Sequence, residues 1–529
     1  MRKLFALLLI GPLAAAPSQR IPAEESAQPT PTFKTGTKLV EVVVVARDKR
    51  GSATGLTKDD FRLFDNGKPG DIAFFSVRSV RDPASAPLSR PVPAMAPGSV
   101  SNRPNSNSEP AATQTVLLID RTFTNPADQI FAIQRIGSFL DRLRKRDGVG
   151  IYTFGKGIQV VQDVTTDEDL LRHAAKTLKA RDARNRSSDT TGMTPKEAAA
   201  YTSLTLQERV TALKQAFQAI ARHLADVPGR KNVVWITEGF PLFICNDLIC
   251  VDFRPEMEEA ARSLNEANVA LHAADARGLI GSLSGMTPIP NAEKGGMPPG
   301  QVTLMMRNWA TVPSGPSHIE TMNFLAGLTG GEVYYNTNGI EDSFEKAVRF
   351  EDVTYSLGFY PTSESQDGQV HALTVKVARP GVTLRYRSNY TALKPGLEAG
   401  NRPTPDLLLK DPLNATQIGL FANAAPDPAR PGLFNVHVSL DLHDVQLYPE
   451  DGKWVGAAEV AFYIENSKSA QVATRSIEIP EDQLALALER GVGFDHAVEF
   501  RGNAGQLRIV MVDKATGSAG SLELPLRAR

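Results

Sequence analysis

The sequence has little of what nucleic-acid-binding and membrane-anchored proteins require. Its 58 basic and 59 acidic residues leave a formal net charge of -1. Without a basic excess, nucleic acid is not an expected partner. Beyond the first residues, no stretch of about 20 apolar residues is present that would cross a bilayer. We therefore expect no transmembrane anchor.

Cysteine is also scarce, which limits metal and redox chemistry. The only two cysteines are Cys245 and Cys250. Two thiolates without nearby histidines make an incomplete metal site, whereas two cysteines in an oxidising compartment can pair. The sequence therefore predicts a disulfide that closes a short loop.

Catalytic signatures are missing as well. The eight histidines show no H-E-x-x-H spacing, and no G-x-G-x-x-G or Walker-type loop is present. Residues 281–285, Gly-Ser-Leu-Ser-Gly, come close to a hydrolase elbow only in letters, because they lie in an irregular Gly/Pro/Met-rich segment interpreted as a long loop over 281–317. His272 is expected in the core, and His223 is expected near a helix C-terminus. We expect a binding protein rather than an enzyme.

The chain begins with the pattern of a secretory signal. A charged start at residues 1–3 is followed by an apolar run over 4–10 and by three alanines at 14–16. We predict a signal peptide over 1–16, a spacer over 17–32, and export to the periplasm or the medium.

Composition and periodicity divide the rest of the chain. Strand patterns predict a small β unit over 33–78, and a Pro/Ser/Asn/Ala-rich stretch predicts a flexible linker over 79–111. Alternating apolar strands and amphipathic helices over 112–360 predict an α/β domain with a doubly wound, mainly parallel sheet. A β-hairpin with a linker is expected over 361–403, and a C-terminal β-sandwich-like domain over 404–529.

The first strand of the α/β domain ends in a cluster of oxygen-bearing side chains. Asp120, Thr122 and Thr124 follow one another at every second position. Ligands of open α/β sheets bind at the carboxyl ends of the strands, and Mg²⁺ prefers oxygen ligands. These residues are therefore candidate metal ligands. Alternatively, Asp120 accepts hydrogen bonds from loop amides or caps the next helix, and the threonines are turn residues.

The Asp-x-Thr-x-Thr pattern after this strand resembles the metal-ion-dependent adhesion site of von Willebrand factor type A domains, whose pattern is Asp-x-Ser-x-Ser. The resemblance implies a Rossmann-like fold, a Mg²⁺, Ca²⁺ or Mn²⁺ ion, and a threonine from a later loop. Thr190, Thr191 and Thr194 all qualify, and Thr191 is taken as the candidate. The family also uses an aspartate in a Thr-Asp-Gly turn, where this chain has Glu238. The longer side chain would reach the ion through water or not at all.

Residues 33–392 resemble, more narrowly, the von Willebrand type A-related proteins of Acidobacteria. The resemblance rests on the segments 56–67, 229–232, 275–278 and 379–382. It implies an exported protein that binds a protein or cell-surface ligand. Two functions are therefore expected. The first is ligand capture at the carboxyl end of the sheet, which predicts an exposed Asp120, and the second is a structural scaffold of the cell envelope without metal-dependent binding.

Overall fold

The computed structural model describes residues 39–79, 99–103, 113–144, 147–182, 195–245, 250–278, 317–337, 339–349, 353–361, 369–391, 403–464, 470–500, 502 and 504–527. The predicted signal peptide and spacer lie outside these ranges, as do the three candidate threonines at 190, 191 and 194. The predicted loop over 281–317 also lies outside them except for its last residue, Ser317, which begins a helix. No helix within the described ranges is long and apolar enough to cross a membrane.

A doubly wound α/β domain forms the centre of the chain, as predicted. Its sheet has the strand order β14-β13-β10-β7-β8-β9, in which neighbouring strands are parallel except for β9, the antiparallel hairpin partner of β8. The strands are β7 (Thr113–Asp120), β8 (Asp147–Phe154), β9 (Ile158–Thr165), β10 (Lys231–Thr237), β13 (Val269–Asp275) and β14 (Val333–Tyr334).

Helices cover both faces of this sheet because its strands are apolar on both sides. Val116 and Leu118 of β7 pack into one apolar cluster, whereas Leu117 and Ile119 pack into another on the opposite face. The first cluster is covered by α3 (Pro195–Leu224), α4 (Arg254–Glu266) and α5 (Ser317–Thr329), and the second by α1 (Pro126–Leu140), α2 (Glu168–Asp182) and α6 (Ile340–Arg349).

A short hairpin follows β10. It consists of β11 (Phe243–Cys245) and β12 (Cys250–Asp252), and its register sets the Cα atoms of Cys245 and Cys250 opposite each other. Opposed Cα positions on paired strands suit a short cross-link. The disulfide itself stays a prediction.

The N-terminal β unit is built from two separate parts of the chain. Two sheets, ordered β17-β1-β15-β5 with β2 beside β1, and β18-β16-β3-β4, enclose one apolar core. The strands are β1 (Val40–Asp48), β2 (Gly51–Ser52), β3 (Phe61–Asp65), β4 (Lys68–Gly70), β5 (Ile72–Ser79), β15 (Val353–Phe359), β16 (Val370–Val377), β17 (Thr383–Arg385) and β18 (Asn389–Thr391).

Two strand assignments therefore differ from the sequence analysis. Strand β15, assigned there to the α/β domain, lies between β1 and β5 of the other sheet. The predicted hairpin within 361–403 is formed in part: β16 and β18 pair antiparallel, whereas β17, which lies between them in the chain, pairs with β1. Strand β16 also pairs with β3. Both differences arise because these strands bury their apolar side chains against residues 40–79, which are remote in sequence.

The C-terminal domain is the predicted β-sandwich. Its sheets, β24-β20-β19-β6 and β21-β22-β25-β26 with β23 beside β22, share one core. The elements are α7 (Pro405–Leu409), β19 (Leu420–Pro426), β20 (Leu433–Leu440), β21 (Tyr448–Glu450), β22 (Lys453–Ile464), β23 (Gln471–Pro480), α8 (Leu484–Arg490), β24 (Val492–Glu499), β25 (Ala504–Asp513) and β26 (Ala519–Arg527).

One strand of this sandwich comes from the predicted linker. β6 (Val100–Ser101) pairs with β19, and the adjacent Asn102 bonds to the backbone of Ala415, Ile418 and Leu420 at 2.7–2.8 Å. The Arg103 guanidinium forms ion pairs with Asp226, Asp441 and Asp444. Residues 99–103 are thus not a flexible linker, because these contacts, which composition does not reveal, hold them in place.

The amino end of the central sheet faces the N-terminal β unit. The Arg230 guanidinium donates to the carbonyl oxygens of Val43 at 3.2 Å and Gly330 at 2.7 Å. Arg387 donates to the carbonyl oxygen of Glu41 at 2.6 Å and contacts that of Asn265 at 3.4 Å. Each arginine thus joins the end of a helix of the α/β domain to β1. The carboxyl end of the sheet lies on the other side.

Candidate functional site

The Asp120 carboxylate lies at the end of β7 and accepts four hydrogen bonds. Oδ1 accepts from the backbone N–H groups of Thr122 at 2.8 Å and Phe123 at 2.9 Å. Oδ2 accepts from Nε1 of Trp235 at 3.0 Å and from Oγ1 of Thr237 at 2.9 Å. The side chain is 0% exposed. Asp120 is therefore buried rather than exposed, and it satisfies loop amides as the alternative interpretation states.

The electrostatics of Asp120 follow from this environment. Burial raises the pKa of its carboxyl to about 6, although the four donors oppose the increase. All four donors are neutral, so they satisfy the oxygen atoms without fully replacing the water that a buried charge loses.

The two threonines of the pattern differ in their contacts. The Thr122 hydroxyl donates to the carbonyl oxygen of Gly155 at 2.9 Å, which joins the loops after β7 and β8. The Thr124 hydroxyl is buried and has no hydrogen-bond partner among the described residues. A buried hydroxyl without a partner is costly, so the Thr124 hydroxyl is the unsatisfied polar group of this loop.

Glu238 reaches the N-terminus of α1 rather than Asp120. Its Oε1 accepts from the backbone N–H of Asn125 at 2.5 Å, and its Oε2 accepts from Nδ2 of the same residue at 3.0 Å. Asn125 is the residue that precedes the first turn of α1. Glu238 thus fastens the loop after β10 to the loop after β7.

The pKa of Glu238 is shifted as well. Burial, opposed by the hydrogen bond from Asn125 and reinforced by the charge of the nearby Asp128, raises the pKa of the Glu238 carboxyl to about 7. Two carboxyl groups close together favour a shared proton over two charges. Near neutral pH, Glu238 is therefore only partly ionised.

The loop after β13 supplies a cation to the same end of the sheet. Asp275 is buried, and its two oxygens accept from the Arg277 guanidinium at 2.9 and 2.8 Å. Asp275 also stabilises the turn that follows the strand, since its Oδ1 accepts from the backbone N–H of Arg277 at 3.0 Å. The positive charge of Arg277 in turn lowers the pKa of Glu238.

These residues fit a divalent cation poorly. The hydroxyl oxygens of Thr122 and Thr124 are available as neutral ligands. Both carboxylates have their oxygens occupied by donors, however, and no group of three acidic, histidine or cysteine side chains among the described residues is arranged to hold an ion. Hard cations such as Mg²⁺ require at least one charged oxygen ligand in most protein sites. As they are arranged, these residues lack the free charged oxygen ligand that a divalent cation needs.

Sequence reasoning missed three participants: Trp235, Asn125 and Arg277. The indole N–H of a fully buried tryptophan needs an acceptor, and this need was the available signal for Trp235. No comparable signal points to Asn125, whose partner Glu238 lies 113 residues away.

A second set of side chains has the residue types of a hydrolase. On the C-terminal sandwich, His437 Nδ1 lies 2.8 Å from Oδ1 of Asp495, and its Nε2 lies 3.4 Å from Oγ of Ser439. The backbone N–H groups of β20 lie in the sheet plane and pair with neighbouring strands on both sides. They cannot stabilise an oxyanion above Ser439. This set does not support hydrolysis.

Comparisons with known proteins were made at the level of sequence and of structure. No protein-family model and no curated protein matches the chain. Among solved structures, the chain is similar to a von Willebrand factor type A protein from Catenulispora acidiphila, with 10% identity over 82% of this chain and 77% of that chain and a TM-score of 0.27.

Two further solved structures are similar. An aerotolerance-related membrane protein from Bacteroides fragilis NCTC 9343 is 15% identical over 45% of this chain and 98% of that chain, with a TM-score of 0.26. The manganese-loaded TRAP protein of Plasmodium vivax is 12% identical over 72% of this chain and 96% of that chain, with a TM-score of 0.24. At such scores, the assignment of the doubly wound fold rests on the strand order and connections described above.

Proposed function

We propose that this chain is an exported binding protein, periplasmic or secreted, that captures a protein or cell-surface ligand at the carboxyl end of its doubly wound sheet. The observation that carries the proposal is the difference between the two ends of the sheet. The amino end is joined to the N-terminal β unit by Arg230 and Arg387. The carboxyl end presents large apolar side chains, Phe243 and Tyr335, which are 55% and 53% exposed.

The polar groups at this end complement the apolar ones. Thr122 and Arg277 at this end are only partly buried. Aromatic side chains beside a few polar groups are typical of the centre of a protein interface. Capture in this form needs no turnover, and we propose that it does not require a divalent cation.

Two matched variants test the proposal. The full mature chain is incubated with intact cells of the source organism, and the bound fraction is compared for Phe243→Ser with Tyr335→Ser and for Val472→Ser. Val472 is also 55% exposed but lies on β23 of the C-terminal sandwich. We expect at least a tenfold loss of affinity in the first variant, as for interface anchors, and none in the second. Equal binding by both would contradict the proposal.

A structural scaffold of the cell envelope is the second candidate. The observation in its favour is that Asp120, the central residue of the predicted site, is fully buried and hydrogen-bonded. In that case, deletion of residues 404–529 abolishes association with the envelope, and substitutions at Phe243 and Tyr335 leave it unchanged.

Metal dependence is tested separately by thermal unfolding with Mg²⁺, Mn²⁺ and Ca²⁺. A ligand that binds the native state raises its apparent stability by mass action. We expect no shift of the unfolding midpoint. A shift that Asp120→Ala removes would restore the metal-dependent form of the binding proposal.

A further inference from the structure

The last turn of α3 contacts the segment 411–416 of the C-terminal domain. The Thr416 backbone N–H donates to the carbonyl oxygen of Arg222 at 3.0 Å, and its hydroxyl donates to the carbonyl oxygen of His223 at 2.9 Å. The Arg222 guanidinium also pairs with Asp411 at 3.1 Å. A helix end leaves carbonyl groups without intrahelical partners, and here another domain supplies the donors.

His223 lies at the centre of this junction between two acceptors. Its Nδ1 is 2.8 Å from the carbonyl oxygen of Asn414, in the C-terminal domain. Its Nε2 is 3.2 Å from Oδ1 of Asp163, on β9 of the α/β domain. A neutral imidazole carries one N–H and one lone pair, so it can donate to only one of these oxygens. Only the imidazolium satisfies both contacts.

The surrounding groups favour the charged ring. Although burial lowers the pKa of His223, the hydrogen bond and charge of Asp163, the Asn414 carbonyl and the charge of Asp411 raise it above 6.5. The partner responds in the opposite sense. Although burial raises the pKa of Asp163, the contacts from His223, the Tyr152 hydroxyl and the Val164 amide lower it to about 2. Arg222 is the nearby cation, and Asp411 neutralises it.

We propose that His223 is a proton-dependent latch between the α/β domain and the C-terminal β-sandwich. The protonated ring joins Asp163 to the Asn414 carbonyl, and loss of its proton breaks one of the two contacts. The contribution of the latch is fully present below the ordinary pKa of histidine, near 6.5, and is lost as the pH rises through the higher value of the folded state. The junction therefore loosens on the alkaline side.

Two measurements on the full chain test this inference. The first is an NMR titration of the His223 ring. The second is hydrogen exchange of the Thr416 amide, which donates across the junction to Arg222; exchange is corrected for the intrinsic pH dependence of its rate. We expect His223 to titrate above 6.5, and protection of Thr416 to fall severalfold over the same pH range.

The informative variant is Asp163→Asn, which keeps the imidazole and the size of its partner but removes the charge. We expect the pKa of the His223 ring to fall in this variant, by roughly one unit for each tenfold loss of proton affinity. The pH at which protection of the Thr416 amide changes should fall by the same amount. His437→Gln is the matched control, since His437 also pairs with an aspartate, Asp495, at 2.8 Å, but on an exposed face within one domain. It should change neither readout. Titration of His223 at or below 6.5, or Thr416 protection that does not follow it, would overturn the proposal.

Discussion

Two carboxylates of the α/β domain, Asp120 and Asp163, have opposite electrostatic environments. Asp120 accepts four hydrogen bonds from neutral donors, and burial raises the pKa of its carboxyl to about 6. Asp163 has a side chain that is about half exposed and that faces the His223 ring, and its pKa falls to about 2. Neutral donors can satisfy every oxygen and still leave a buried charge unfavourable, whereas contact with solvent and an opposed cation together stabilise a charged carboxylate. The carboxylate of the predicted cation site thus binds a proton more tightly than an ordinary aspartate, whereas Asp163, which was not predicted as a site residue, pairs with a charged side chain of the protein itself.

The largest effect is expected from Asp120→Ala. The substitution leaves the Trp235 indole, the Thr237 hydroxyl and two loop amides without their acceptor. We expect the free energy of unfolding to fall by about 3–5 kcal/mol. The measurement is urea denaturation followed by Trp fluorescence.

Asp167→Ala is the matched control for this variant. Asp167 also accepts from two backbone N–H groups, those of Asp169 and Leu170, but it is exposed. Removal of an exposed helix cap costs about 1 kcal/mol. Equal losses in the two variants would mean that burial of Asp120 adds nothing to its role.

The next effect is a pH dependence that Asp120→Asn removes. The folded-state pKa of about 6 exceeds the ordinary value of 3.8, so the native state binds the proton more tightly. Burial of the charged carboxylate therefore destabilises the native state to its full extent above pH 6, and this destabilisation disappears as the pH falls below 4. We expect the wild type to gain on the order of 2 kcal/mol relative to the variant between pH 7 and 4. Parallel stability curves would show that Asp120 keeps an ordinary pKa.

A smaller effect is expected from Glu238. Glu238→Ala removes both acceptors of Asn125 at the start of α1. We expect a loss of about 1–2 kcal/mol in the free energy of unfolding. Glu238→Gln keeps one acceptor and removes the repulsion by Asp128, so it should lose less than about half of that. A loss of unfolding free energy in Glu238→Gln that exceeds this limit would indicate that the charge of Glu238 itself is needed.

The smallest effect is expected from Thr124→Val. Valine has nearly the shape of threonine and removes a buried hydroxyl that has no partner among the described residues. We expect the free energy of unfolding to stay within about 1 kcal/mol of the wild type or to rise. Calorimetry in the presence of Mg²⁺ provides a second readout. A loss well above this range, or loss of a Mg²⁺-induced stabilisation, would assign a ligand to this hydroxyl.

The doubly wound sheet was predictable because its signals are local. Apolar runs such as 115–119 and 232–236 alternate with helical patterns. The burial of each strand or helix can therefore be predicted from its own residues. Strand β6 was predicted to be part of a linker, and strand β15 to be part of the α/β domain. Both predictions were wrong because the contacts that hold these strands are not local in sequence. The two residues of β6 are too few to show a periodicity, and the partners of β15 lie 274 to 319 residues earlier in the chain, as the pairs Val353–Ser79 and Phe359–Val40 show.

The candidate site was predictable only in part. The positions of Asp120, Thr122 and Thr124 at the carboxyl end of β7 follow from the strand and its length. Which donors occupy the Asp120 oxygens depends on Trp235, more than 100 residues later. The direction of Glu238 depends on Asn125 in the same way. The sequence shows only that Glu238 is one methylene longer than an aspartate. The hydrogen bonds from Asn125 determine where its carboxylate lies.

The N-terminal β unit is built from two separate parts of the chain, and this has a mechanical consequence. Strand β1 before the α/β domain and strand β15 after it are hydrogen-bonded neighbours over Val40–Val45 and Thr354–Phe359. A pulling force applied between β1 and the C-terminal sandwich therefore passes from β1 into β15 and on along the chain. The α/β domain is inserted between these two strands and shares the load only through its contacts with the two β units, such as those of Arg230 with Val43 and of Arg222 with Thr416. It therefore keeps its shape until those contacts and the β1–β15 pairing break.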